Sequence, residues 1–278
     1  FSTFVSSITN AMNHLRVINA EAHRQQENLR RFIHDSKISL ELGFRIQAFA
    51  RQYRVVGRLR VHCTDLNVFK ILPETLRLQV HWEVHVPILT LIPIFFSAAE
   101  VFESFVLELC NCAIEEVSML QGQEVFTHRS EAKMMHFVIS GYLEYYHGHD
   151  DCESAVVRGD QWVCEIALWL RWLHEGRLCV VKQSEFLALN GGTFRKLSTQ
   201  HPDLYLVFQR YAQSYFDHVQ SFSGTEPRTV WFDILNDHDS SLERAQRAFE
   251  SCAIDRSPRT AHLSIIHWRP WHSLSVIR

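Results

Sequence analysis

Apolar positions change their period twice along the 278 residues. At the start, Phe1, Phe4, Val5, Ile8, Met12 and Leu15 fall on one helical stripe. The stripe continues through Val17 and Ile18 into a polar stretch at 21–31 that holds no Gly or Pro. This pattern predicts one long helix that leaves an apolar setting and enters water. A break is expected at Asp35-Ser36-Lys37, then a helix with Leu42, Ile46, Phe49 and Tyr53 on one face and Arg45, Arg51 and Arg54 off it. Residues 64–90 suggest two more helices. Thr64 or Asp65 would cap the first, and Pro73 would sit just inside the second, where its missing N–H costs little. After Pro93 the pattern predicts a further helix at 98–113, apolar at Val101, Phe102, Phe105, Val106 and Leu109.

Beyond that point the period shortens. Residues 115–126, 135–145, 155–162 and 178–189 are short runs rich in β-branched and aromatic side chains, separated by polar turns, as in a β-roll or barrel. Helices return at 193–197 and 203–220, the second with Leu204, Val207, Phe208, Tyr211, Tyr215 and Val219 as its buried face. Ser240-Ser241-Leu242-Glu243 reads as a capping box for a short helix ending near Cys252. Residues 255–260 are a Pro/Arg/Ser loop, and the last segment holds His267-Trp268-Arg269-Pro270-Trp271-His272. No internal repeat or low-complexity tract is present. The fold class that follows is α+β.

Composition narrows the function classes. With 46 % hydrophobic and 21 % charged residues the chain is globular, and a net charge of −3 gives no basic face for nucleic acid. Seven cysteines at 63, 110, 112, 152, 164, 179 and 252 form no disulfide framework, and the close pair Cys110/Cys112 fits neither a zinc knuckle nor a redox motif. No apolar run reaches the ~20 residues a membrane helix needs. Residue 1 is Phe, nothing caps the opening helix, and the chain reads as a piece of a longer polypeptide. There is no nucleophile elbow, no phosphate loop and no His-Glu-x-x-His, so no enzyme is expected.

The most informative stretch is Gly159-Asp160-Gln161-Trp162-Val163-Cys164-Glu165-Ile166-Ala167-Leu168. It reads as a strand, a tight turn and a one-turn helix carrying a carboxylate. This resembles the cassette of the cyclic-nucleotide-binding fold, in which backbone N–H groups at a helix start attract the cyclic phosphate and the glutamate accepts from a ribose hydroxyl. Other phrases resemble the cytoplasmic half of voltage-gated cation channels that carry such a domain. These are the ether-à-go-go, hyperpolarisation-activated and cyclic-nucleotide-gated channels. Phe1 to Arg16 resembles the end of the last pore helix. Lys37-Ile38-Ser39 with Leu42, Arg45-Ile46 and Phe49 is similar to a linker helix, and Ile71-Leu72-Pro73-Glu74-Thr75-Leu76-Arg77 to a later linker phrase. Pro93-Ile94-Phe95 resembles the step opening the binding domain. Gly122 with Glu124-Val125-Phe126, then Phe137-Val138-Ile139-Ser140-Gly141-Tyr142-Leu143-Glu144, resembles its second and third strands. The resemblance covers residues 1–220; residues 221–278 match nothing in it.

The resemblance implies a pore-helix end at 1–18, a helical linker at 19–92, a cyclic-nucleotide-binding-type β-roll with closing helices at 93–220, and an extension at 221–278. Phe1, Phe4, Val5, Ile8 and Met12 would line the gate. Cys164, Glu165, Ile166, Ala167, Leu168, His174 and Gly176 would form the ligand cassette. The cassette departs from the family's pattern. Cys164 stands where glycine is usual, and His174 where an arginine usually pairs the phosphate. His128-Arg129-Ser130 replaces Glu-Gly-Asp, and an arginine does not readily take glycine's left-handed turn. No cofactor is therefore expected, and cAMP or cGMP is not expected to bind tightly.

The implied whole is a membrane-embedded, multi-pass tetramer, homo- or heteromeric, passing potassium through an upstream pore, with this segment on the cytoplasmic side. The alternative is a soluble cyclic-nucleotide-binding regulatory subunit of the kinase type, which would require the phosphate arginine. No metal site is expected. His147-Gly148-His149-Asp150-Asp151-Cys152 reads as a polar hairpin loop, and Asn236-Asp237-His238-Asp239 as the approach to a capped helix. Trp162, Trp169 and Trp172 read as core. Trp268 and Trp271 are equally a docking motif or a packing pair.

Overall fold

A computed structural model describes residue 24 and residues 26–56, 62–148, 153–222 and 231–252; of Phe49 and residues 52–56 it describes the backbone alone. The expected gate residues Phe1, Phe4, Val5, Ile8 and Met12 lie outside the described residues, as do Trp268 and Trp271. The chain divides into two compact units, residues 1–59 and 60–278.

In the first unit, α1 (residues 26–35) ends at the expected break, where Lys37 takes φ 50 and Ile38 N donates to Ile33 O. Helix α2 (Leu40–Val56) follows. A Cβ on Gly43 would stand 3.0 Å from Ile33 Cγ2, so the two helices meet closely at that glycine. Of the expected apolar face, Leu42 is exposed and Ile46 half-buried; Phe49 and Tyr53 carry no described side chain.

The second unit opens with a 3-10 turn (Cys63–Asp65), α3 (Asn67–Ile71) and α4 (Glu74–Leu89). Pro73 stands at the N-cap of α4, one place before the expected position. Pro87 lies inside the last turn of α4, which loses one backbone rung there; the Thr90 hydroxyl donates to Val86 O in the same turn. The stretch expected as one helix at 98–113 is two, α5 (Pro93–Val101) and α6 (Glu103–Cys112). They hinge at Phe102 (φ −125, ψ 56), and the change of direction lets both Phe95 and Phe105 pack on Phe194.

Six strands form one antiparallel sheet. They are β1 (Ile114–Met119), β2 (Glu124–Phe126), β3 (Met134–His147), β4 (Glu153–Arg158), β5 (Trp162–Val163) and β6 (Gly176–Asn190). The order is β1-β6-β3-β4, with β2 also on β6 and β5 also on β3. The register of β3 on β6 shifts between Val138 and Leu143. Gly141 (φ +118) sits in that irregularity, where a Cβ would lie 2.1 Å from Ser184 Oγ, so only glycine fits.

Between β5 and β6 stands the short α7 (Ile166–Trp169). After the sheet come α8 (Gly191–Ser198), α9 (Pro202–Ser221), a 3-10 turn (Phe232–Ile234) and α10 (His238–Ser251). Helix α9 buries the six residues its spacing predicted. Asp237 rather than Ser240 caps α10, its carboxylate accepting from Ser240 N at 3.1 Å. The mixed helix and antiparallel sheet architecture is α+β.

Two apolar clusters result. The larger lies among α4–α10 and one side of the sheet, around Phe95, Phe105, Phe194, Phe208 and Phe249. The smaller is built from sheet residues, with Phe126, Leu143, Tyr145, Leu178 and Phe186, and reaches the cassette at Val163, Cys164 and Ala167. Among the described residues no helix is long and apolar enough to cross a membrane.

Candidate functional site

The smaller cluster surrounds a set of polar groups that converge on one carboxylate, that of Asp233. Its side chain is fully buried. Oδ2 accepts from Glu175 N at 2.7 Å, Tyr145 Oη at 2.9 Å and Gly176 N at 3.2 Å. Oδ1 accepts from Trp172 Nε1 at 3.1 Å and lies 3.1 Å from His174 Nδ1. Among the described residues no Lys or Arg pairs with it. The carboxylate is held by neutral donors and one imidazole, a pattern that satisfies a buried anion through convergent N–H and O–H groups.

Backbone geometry creates this receptor. Residues 127–132 and 172–175 are cross-linked by Arg129 N to His174 O at 2.9 Å, His174 N to Ser130 O at 3.0 Å and Ala132 N to Trp172 O at 2.9 Å. Arg129 takes φ 61, so the expectation that arginine avoids the left-handed turn is corrected: these backbone bonds hold it there. Phe126 stacks on the His174 ring at 3.8 Å and 7°, fixing its plane. Gly176 must be glycine, because a Cβ would meet Tyr146 O at 2.2 Å and the Tyr145 ring at 2.6 Å.

Asp233 arrives from a segment to which the sequence assigned no role. Residues 231–236 run along the cassette. Cys164 N donates to the backbone Asp233 O at 2.7 Å, and Trp162 N to Asn236 Oδ1 at 2.8 Å. Trp231 stacks on His147 at 5.4 Å and 11°, and Phe232 is buried against Trp172 and Phe222. The segment is thus pinned at both ends and in the middle. The available signal was the run Trp231-Phe232-Asp233-Ile234-Leu235, too apolar for a solvated loop and carrying a single charge.

The predicted cassette residues divide between the two clusters, Ile166 and Leu168 in the larger and Cys164 and Ala167 in the smaller. Cys164, Glu165, Ile166, Ala167, Leu168, His174 and Gly176 are all buried. Their partners, however, belong to the chain itself. Glu165 accepts from Tyr211 Oη at 2.8 Å, Trp162 Nε1 at 3.1 Å and Trp169 Nε1 at 3.2 Å. Burial raises its pKa against those bonds and the pull of Arg244. Ala167 N and Leu168 N close the turn on Cys164 O and Glu165 O. Cys164 holds φ 60, the glycine-like backbone that its position requires. Burial, then Asp233, pushes its thiol well above the ordinary range, and the same two causes raise the Tyr145 phenol. Both are neutral. No family model and no curated protein matches this chain.

Chemically, the site is a set of convergent donors around the Asp233 carboxylate. It offers two backbone N–H groups, a phenol, an indole and an imidazole to one anionic group. The tryptophans fall as read from the sequence: Trp162 is buried, while Trp169 and Trp172 pack against the larger cluster. Of the His147–Cys152 loop only His147 and Gly148 are described.

Proposed function

We propose that the chain is the cytoplasmic gating region of a tetrameric voltage-gated potassium (cation) channel. In this reading the sheet, the cassette and α9 make a cyclic-nucleotide-binding-type β-roll that its own chain occupies. The observation that carries the reading is the buried Asp233 carboxylate on the cassette side of the sheet, with the cassette glutamate already committed to Tyr211 and two indoles. Support also comes from the order of elements, in which linker-type helices precede the sheet and closing helices follow it.

A tethered occupant competes at an effective concentration on the order of mM. A diffusing cyclic nucleotide must displace it and find a substitute for the missing arginine, whose charge-assisted bonds are worth about 1.5–3 kcal/mol each. The soluble regulatory-subunit alternative needs a ligand-ready cassette and finds no support in these partners. Occupancy by the chain's own segment is then the state variable: with 231–236 in place, the β-roll biases the linker helices toward one gate position.

The test has two arms. The reading frame upstream of Phe1 is expected to encode arginine-bearing voltage-sensor and Gly-Tyr-Gly or Gly-Phe-Gly filter segments; soluble sequence there overturns the channel reading. In patches from cells expressing the full-length protein, Trp231→Ala is expected to shift the half-activation voltage, while millimolar cAMP or cGMP leaves the wild type unchanged. A wild-type response at micromolar nucleotide overturns the self-occupied reading.

A further inference from the structure

Cys164, His174 and Asp233 come from three separate stretches of the chain, and one donor atom from each lies within 4.8 Å of the others. The Cys164 Sγ to His174 Nδ1 distance is 3.6 Å, and Nδ1 to Asp233 Oδ1 is 3.1 Å. All three residues are buried. We infer that this cluster is a binding site for a borderline-soft divalent cation of the zinc class, and that the ion staples residues 231–236 into the sheet.

The spacing fits the coordination chemistry. Tetrahedral zinc with bonds of about 2.3 Å to sulfur and about 2.0–2.2 Å to nitrogen and oxygen has S–N edges of about 3.6 Å and N–O edges of about 3.3 Å. The Sγ–Nδ1 and Nδ1–Oδ1 separations lie within a few tenths of an ångström of those edges. One thiolate, one imidazole and one carboxylate are the donor types that select zinc over magnesium or calcium. Three protein donors leave one tetrahedral position for water or a small anion.

Two further observations point to a ligand. A fully buried carboxylate stands without a Lys or Arg partner among the described residues. A divalent ion bound by that carboxylate and a thiolate is charge-neutral as a unit, so it offsets the charge that the hydrogen bonds leave buried. The second is conformational. Cys164 occupies left-handed backbone (φ 60) at a position where glycine would be unstrained. From this backbone Sγ lies 3.6 Å from the imidazole Nδ1.

The remaining contacts match an outer shell. Phe126 fixes the His174 plane, and Tyr145, Trp172 and the amides of Glu175 and Gly176 orient the carboxylate. On binding, the thiol proton leaves to solvent and the imidazole carries its proton on Nε2, so that the Nδ1 lone pair faces the ion; no redox change is involved. The sequence hides the site because His174 and Asp233 lie 59 residues apart. This inference does not depend on the channel reading, since its readouts are metal content and thiol protection in the purified chain.

The experiment uses the whole 278-residue chain purified without chelator. Expected are about one zinc per chain by elemental analysis and, after exchange into Co2+, a thiolate-to-cobalt charge-transfer band. In Cys164→Ser the band disappears and zinc binds at least tenfold more weakly. In urea just below the unfolding midpoint, where local opening exposes the buried thiol, zinc-loaded wild type is also expected to protect Cys164 from alkylation, read by peptide mass spectrometry, with chelator restoring labelling; this arm needs no variant to fold. Absence of the cobalt band from the wild type, unchanged zinc stoichiometry in Cys164→Ser, or alkylation of Cys164 indifferent to zinc each overturns the site.

Discussion

At the scale of single residues, two carboxylates carry the largest electrostatic consequences. Asp233 leaves five donors facing it if it is removed. Asp233→Ala is expected to cost roughly 3–5 kcal/mol, the range for stripping one partner from a buried charged network, measured as a lowered urea midpoint. A loss under about 1 kcal/mol would mean the donors find other acceptors. Glu116, on β1, accepts from Cys63 N at 2.8 Å and lies 3.8 Å from His85 Nε2. His85 first, then the Cys63 amide, hold its carboxyl down to about 2 against the upward push of burial. The folded state therefore holds this proton more weakly than the unfolded state does. The resulting stabilisation is complete above the ordinary 4.5 and fades as pH falls toward about 2. Between pH 7 and pH 3 the wild type is expected to lose about 2 kcal/mol through this group, and Glu116→Gln to lack that part of the slope. Parallel pH profiles for the two proteins would remove Glu116 from the account.

At the scale of elements, α10 and the turn before it decide whether 231–236 stays in place. Helix α10 buries Ala245, Ala248 and Phe249 against α9 and α5, and Arg244 lies over the Tyr215 ring at 5.2 Å and the Tyr211 ring at 5.7 Å. Its start depends on the Asp237 cap. Asp237→Ala is expected to destabilise the chain by about 1 kcal/mol, as loss of an N-cap typically does. It should also raise protease cleavage within 231–240 relative to the sheet. Equal cleavage of variant and wild type would show that the cap does not govern the segment. The spacing of α9 named its whole buried face because one side meets a continuous core. Nothing in the periodicity marks Phe102, so the sequence predicts one helix where α5 and α6 stand; the bend is set by the aromatic packing on either side of it.

At the scale of the whole molecule, residues 231–252 complete the second unit. Trp231 and Phe232 meet the sheet and cassette, while Phe249 joins the larger cluster. A chain ending at residue 222 exposes those surfaces and strips the five donors of their carboxylate. It is expected to bind a hydrophobic dye and to lose its cooperative thermal transition, or to melt at least 10 °C lower. An unchanged transition would mean that the sheet and α9 stand without the segment.

The sequence alone determined the α+β succession of helices, sheet and helices, the buried face of α9 and the turn at 159–160. These are properties of neighbours along the chain, where period and turn chemistry act locally. Only the tertiary structure decided which distant groups meet Cys164, Glu165 and His174. Asp233 meets Tyr145, separated from it by 88 positions, and Glu165 meets Tyr211, separated by 46. It also showed that Arg129 and Cys164 accept glycine's backbone when surrounding hydrogen bonds hold them there. Pairings across such separations depend on how the sheet and closing helices bring distant segments together, and no local pattern encodes them.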